Sequence, residues 1–80
     1  MSKRTDILLQ HATNLHGIVR YTKAQRDDVR DNHEANLAAL NAELDDYQLE
    51  RDEALARLNL RLVAEGQEEM TLGDLAKRLP

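Results

Sequence analysis

From Leu8 onward, one stripe of positions recurs in steps of three or four residues: Leu8, Ala12, Leu15, Val19, Thr22, Arg26, Val29, His33, Leu37, Leu40, Leu44, Tyr47, Arg51, Leu55, Leu58 and Leu62. It covers 54 residues in 15 steps. That is about 3.6 residues per step, the period of an undistorted α-helix, and no strand pattern produces it. An eleven-residue spacing also shows, in Val29–Leu40–Arg51–Leu62 and in His33–Leu44–Leu55. Such spacing favours a straight or slightly right-handed arrangement over a left-handed supercoil.

A second apolar strip joins in the later half, at Ala35, Ala38, Ala42, Leu49, Ala56, Leu60 and Val63. Residues 35–64 are therefore apolar on more than one side, and a helix of that kind packs against two neighbours. Residues 20–34 are far more polar, with Tyr21, Ala24, Val29 and Thr22 as their main contact formers.

Composition agrees with the period. Of the 80 residues, 14 are Leu and 10 are Ala; the only aromatic residues are Tyr21 and Tyr47, and Cys is absent. Disulfide scaffolds and thiolate metal sites are excluded, and a β-sandwich is disfavoured by the scarcity of β-branched and aromatic residues. The expected class is all-α. Two architectures satisfy the stripe. In one, a helix over about 5–27 turns near 28–31 into a second helix running to 65. In the other, both are a single rod of about 60 residues and about 90 Å. The unbroken phase and the absence of Gly and Pro from 20–34 favour the rod. The polarity of 20–34, the charge distribution and ordinary helix lengths favour the hairpin, which is the expectation adopted.

The punctuation divides the chain into a helical region, 1–65, and a turn with a short helix, 66–80. Thr5–Asp6 reads as the first cap. Asp31–Glu34 has capping-box spacing, and so does Thr22–Gln25. Gly17 reads as an interior glycine where another backbone comes close. Gly66 reads as a helix stop. Thr71 and Asp74 form an acidic capping box, with Met70 and Leu75 placed for the hydrophobic staple. The helix expected over 71–79 carries Leu72, Leu75 and Leu79 on one face. That face serves either as a cap folded back on the bundle or as a docking surface, and fold-back is preferred because exposed leucine faces are a liability.

Charge is unevenly spread. Residues 1–30 carry six basic and three acidic groups, residues 31–56 one basic and eight acidic, and residues 57–80 four of each. A basic third beside an acidic third favours pairing of the two segments, although exposed ion pairs are too weak to dictate a fold.

Little in the chain resembles catalytic machinery. His11 and His16 are five apart, which puts them on different sides of a helix and meets no metal-ligand spacing. Glu-x-x-His pairs and glycine-rich phosphate loops are missing. The expectations are no enzyme activity, no metal and no cofactor. No apolar run reaches the length of a membrane span or a secretory signal, so a cytoplasmic location without membrane association is expected.

A core this small is marginal alone, and oligomerisation is the remaining staple. The expected partner is first a second copy, as a coiled-coil or bundle dimer, through Leu37, Leu40, Leu44, Tyr47, Arg51, Leu55, Leu58 and Leu62. Arg51 within that seam is expected to pair with an acid across it or to set register. The expected function is that of a non-enzymatic protein–protein interaction module: an adaptor, assembly factor or inhibitor. This style of sequence is shared by many small bacterial and phage-encoded proteins that bind another protein. The alternative is a helical nucleic-acid-binding regulator using a basic strip of Arg20, Lys23, Arg26 and Arg30.

Overall fold

The computed structural model describes residues 2–28 and 34–79, with the side chains of Glu34 and Ala35 excepted. Three helices follow in order: α1 (Lys3–Asp28), α2 (Glu34–Ala64) and the short α3 (Leu72–Ala76). α1 and α2 pack along one another as a hairpin, and α3 lies against α1. The hairpin expectation holds, and the continuous rod is excluded. At 1.5 Å per residue α2 is about 46 Å long, close to the longest dimension of the molecule, 49 Å. The expected capping box at Asp31–Glu34 rests on residues outside the described set, as do Val29 and His33 of the stripe and Arg30 of the basic strip.

α1 starts two residues before the expected point. Ser2, not Thr5–Asp6, caps it: the Thr5 N–H donates to Ser2 Oγ at 3.2 Å. Thr5 is thereby released inward, where it is fully buried. Its hydroxyl donates to Glu65 Oε1 at 2.6 Å, and the Ser2 hydroxyl donates to the same oxygen at 2.7 Å. One carboxylate at the end of α2 thus ties down the start of α1. Those two bonds hold the Glu65 carboxyl below its ordinary pKa.

Most of the core sits at this end, where all three helices meet. It comprises Leu9, Ala12 and Leu15 from α1, Ala54, Leu58 and Leu62 from α2, and Leu75 from α3, with Leu8, Leu55 and Met70 partly buried against it. Each fully buried leucine contributes about 1.5–3 kcal/mol. The inward stripe of α2 differs from expectation at one step. Ala54 is buried and Leu55 only half-buried against the core. Farther along, Val19 and Leu44 are buried.

The inward face of α1 is unusually polar, with Thr5, Thr13, His16 and Thr22 buried beside the apolar residues. Thr13 satisfies its hydroxyl on the Leu9 carbonyl at 2.8 Å. The basic and acidic thirds do lie along one another, as α1 against α2, but among the described residues no ion pair joins them. Among the described residues the ion pairs are Arg26–Asp27 and Arg51–Asp52, each between sequence neighbours. The helices are held by apolar packing and hydrogen bonds instead.

Gly66 ends α2 as expected. It takes a positive φ of 75°. The Gln67 N–H then donates to the Leu62 carbonyl at 2.8 Å and the Gly66 N–H to that of Val63 at 3.0 Å, the paired bonds of a glycine-terminated helix. The connector is pinned by Asn59, whose side-chain amide donates to the Met70 carbonyl and accepts from its N–H. The expected Thr71–Asp74 box is present, with the Thr71 N–H donating to Asp74 Oδ2 at 2.9 Å and the Asp74 N–H donating to Thr71 Oγ1 at 3.3 Å. α3 is shorter than the expected 71–79. After Ala76 the chain tightens into three-residue hydrogen bonds, Arg78 to Leu75 and Leu79 to Ala76, which satisfy the last carbonyls without continuing the helix.

Candidate interaction surface

α2 presents two opposed apolar sides. The first faces α1 and takes up most of the residues assigned to an oligomer interface. Leu44, Leu58 and Leu62 are buried within the single chain, Leu40, Tyr47, Arg51 and Leu55 are half-buried, and Leu37 is exposed. As the fold stands, these side chains build the intrachain seam.

The second side is the strip at Ala38, Ala42, Leu49, Ala56, Leu60 and Val63. Leu49 lies nine residues before Leu58, which is about 180° around a helix. It therefore points away from α1. Leu49 is 60% exposed, Leu60 75% and Val63 56%. The alanines of the strip are exposed too. Within the chain this strip has no cover. Its charged borders are Asp45, Asp46, Glu50, Asp52 and Glu53 around Leu49, and Arg57 beside Ala56 and Leu60, all exposed.

The C-terminal face divides. Leu75 is fully buried, Leu79 is half-buried and Leu72 is 37% exposed. A Cβ built on Gly17 would stand 3.3 Å from Leu79 Cδ2. The close approach expected at Gly17 is thus made by a side chain of the C-terminal segment and not by backbone. This segment is a cap folded onto α1, and Leu72 is the part of its face left outside.

Inside the seam, His16 is buried and its Nδ1 has no hydrogen-bond partner. Burial holds its pKa below the ordinary histidine value, and the charges of Arg51 and then Arg20 push in the same direction. Arg51 does not reach an acid across the seam; its guanidinium bonds to Asp52, its own neighbour, at 2.9 Å. Of the basic strip, Arg20 and Lys23 are exposed, Arg26 is held to Asp27 at 3.2 Å, and Arg30 lies outside the described residues.

Grooves along the hairpin are shallow and mixed in character. One is lined by Leu8, His11, Glu50, Glu53, Ala54 and Arg57, another by Arg4, Ile7, Leu8 and Arg61. Among the described residues no three His, Asp or Glu are grouped to hold a metal ion, and no helix is long and apolar enough to cross a membrane.

Asn59, Ser2 and Glu65 escaped the sequence reading. Their bonds join residues far apart in the chain or join side chain to backbone, and no period marks such pairs. The one local signal was Ser2 standing three residues before Thr5, the spacing of an N-cap. Comparison of the chain with protein-family models, with curated proteins and with solved structures gives no match.

Proposed function

We propose that this chain is a small non-enzymatic protein–protein interaction module that works as a helical homodimer. One observation carries the reading: Leu49, Leu60 and Val63 lie exposed on the side of α2 opposite the intrachain seam. Covering a leucine is worth about 1.5–3 kcal/mol, and exposed apolar side chains grouped on one helix face support a contact surface. The shallow grooves offer little that would enclose a small substrate, which supports a binding role as adaptor, assembly factor or inhibitor. The nucleic-acid reading has weaker support, since Arg26 of its strip is neutralised by Asp27 and the whole chain carries a net charge of −4.

The test compares the wild-type chain with the double variant Leu49→Glu, Leu60→Glu, after circular dichroism has shown equal helicity. Self-association and co-purifying protein are measured for each. The reading expects both in the wild type and neither in the variant. A wild-type chain that stays at 9.1 kDa and retains only nucleic acid would replace it with the alternative.

A further inference from the structure

Resting on that reading, we propose that the outer strip of α2 is occupied by the same strip of a second copy running antiparallel, with Leu49 of each copy opposite Leu60 of the other.

The strip continues in alternating four- and three-residue steps through Leu49, Glu53, Ala56, Leu60 and Val63, with Asp46 and Ala42 before them. This is the seam spacing of paired helices. Two of its positions are acidic, and they decide the direction. In a parallel pair each position meets its own copy, so Asp46 faces Asp46 and Glu53 faces Glu53 in the middle of the contact. Like charges so placed repel and favour another arrangement.

The antiparallel pair parts the two Asp46 widely and takes each Glu53 off its own copy. With Leu49 opposite Leu60 of the second copy, Glu53 falls opposite Ala56 and Asp46 opposite Val63. Arg57 of each copy then lies beside Glu50 and Glu53 of the other. None of Glu50, Glu53 and Arg57 has an ion-pair partner among the described residues, so these charges are available across the interface. Ala56 and Glu53 lie equally close to the two-fold axis, where the small Ala56 of each copy leaves room for the Glu53 of the other. The contact closes as a symmetric dimer, each copy giving the same patch.

The chain has no cysteine, so introduced thiols report the arrangement cleanly. Leu49→Cys protein, labelled with ¹⁵N, is mixed with unlabelled Leu60→Cys protein and oxidised at concentrations where sedimentation equilibrium shows the dimer. The proposal expects the mixed 49–60 disulfide, at least about tenfold in excess over either homodisulfide. It also expects Arg57→Glu to weaken the dimer about tenfold, with recovery when Glu50→Arg and Glu53→Arg are added. A strip-dependent dimer in which Leu49→Cys joins mainly to itself overturns the antiparallel arrangement and leaves the functional reading standing. A dimer indifferent to Leu49→Glu with Leu60→Glu, or no self-association up to about 300 µM, overturns both.

Discussion

Asn59 holds Met70 by both ends of its side-chain amide, donating to the carbonyl at 3.0 Å and accepting from the N–H at 2.8 Å. The amide stands in for a strand or helix partner, and so fixes where the chain re-enters the fold after Gly66. Both Met70 groups are partly buried, and losing their partner leaves two backbone groups unsatisfied. We expect Asn59→Ala to cost about 1–3 kcal/mol. Urea unfolding reads the loss, and limited proteolysis should show faster cleavage near residues 66–70. An unchanged urea midpoint would mean that water replaces the amide at no cost.

The C-terminal cap contributes to stability through Leu75, which has no exposed surface. Leu75→Ala is expected to destabilise by about 2–5 kcal/mol. Deletion of residues 67–80 should lower the melting temperature substantially, because it removes Leu75 and Met70 from the shared core. A truncated chain melting like the full one would show that the segment is no cap. Leu72, 37% exposed, should lose less on Leu72→Gln than Leu75 does on Leu75→Ala, by about 1 kcal/mol or more.

Two glycines should respond oppositely to alanine. Gly66 has nothing within 4 Å of a built Cβ, but its φ is +75°, so Gly66→Ala pays only the left-handed penalty of about 1–2 kcal/mol. Gly17 is in the interior of α1, where alanine is favoured by about 1 kcal/mol. Its new Cβ would stand 3.3 Å from the tip of the half-buried Leu79 side chain, a contact a few tenths of an ångström too tight that this flexible end relieves by shifting. Gly17→Ala should therefore raise the thermal midpoint slightly, whereas Gly66→Ala lowers it. Both midpoints falling equally would show that Leu79 cannot yield.

The helices and the Thr71–Asp74 box are legible because each is written locally, in period or in cap spacing, whereas the hairpin shows only in the polarity and charge of 20–34, against an unbroken period. The sequence does not show which apolar side of α2 meets α1. Leu44 and Leu49 carry the same side chain on strips of the same period, and only the register of α1 against α2 separates them. Hence Leu44, Leu58 and Leu62 were read as interface between chains, while Leu49 and Leu60 proved to be the leucines left uncovered. The choice of Ala54 over Leu55 for the buried position is equally invisible, since it too depends on the rotation of α2 against α1. Arg51 was legible as an oddity in the seam. Its partner was not, because Asp52 competes with any acid across the seam simply by being next to it.

His16 makes the hairpin sensitive to acid. Its buried ring, with Arg51 and Arg20 nearby, favours the neutral form in the fold. The unfolded chain, with an ordinary histidine value of 6.5, binds a proton more readily. Stability therefore rises with pH wherever the two states differ in bound protons. The destabilisation from His16 is absent well above 6.5, grows as pH falls below 6.5, and levels off beneath the folded-state value. Glu65 and Asp74 act in the same direction but lower. Their carboxyls are held below the ordinary 4.5 and 3.8 by hydroxyl and backbone donors, so their contribution is full above those values and disappears as pH falls through the folded ones. The two windows are separable. Urea midpoints of the wild-type chain should decline between pH 7 and 5.5, and His16→Leu should flatten that decline while leaving the steeper loss below pH 4.5. A His16→Leu chain that keeps the wild-type slope between pH 7 and 5.5 would place the sensitivity on another group.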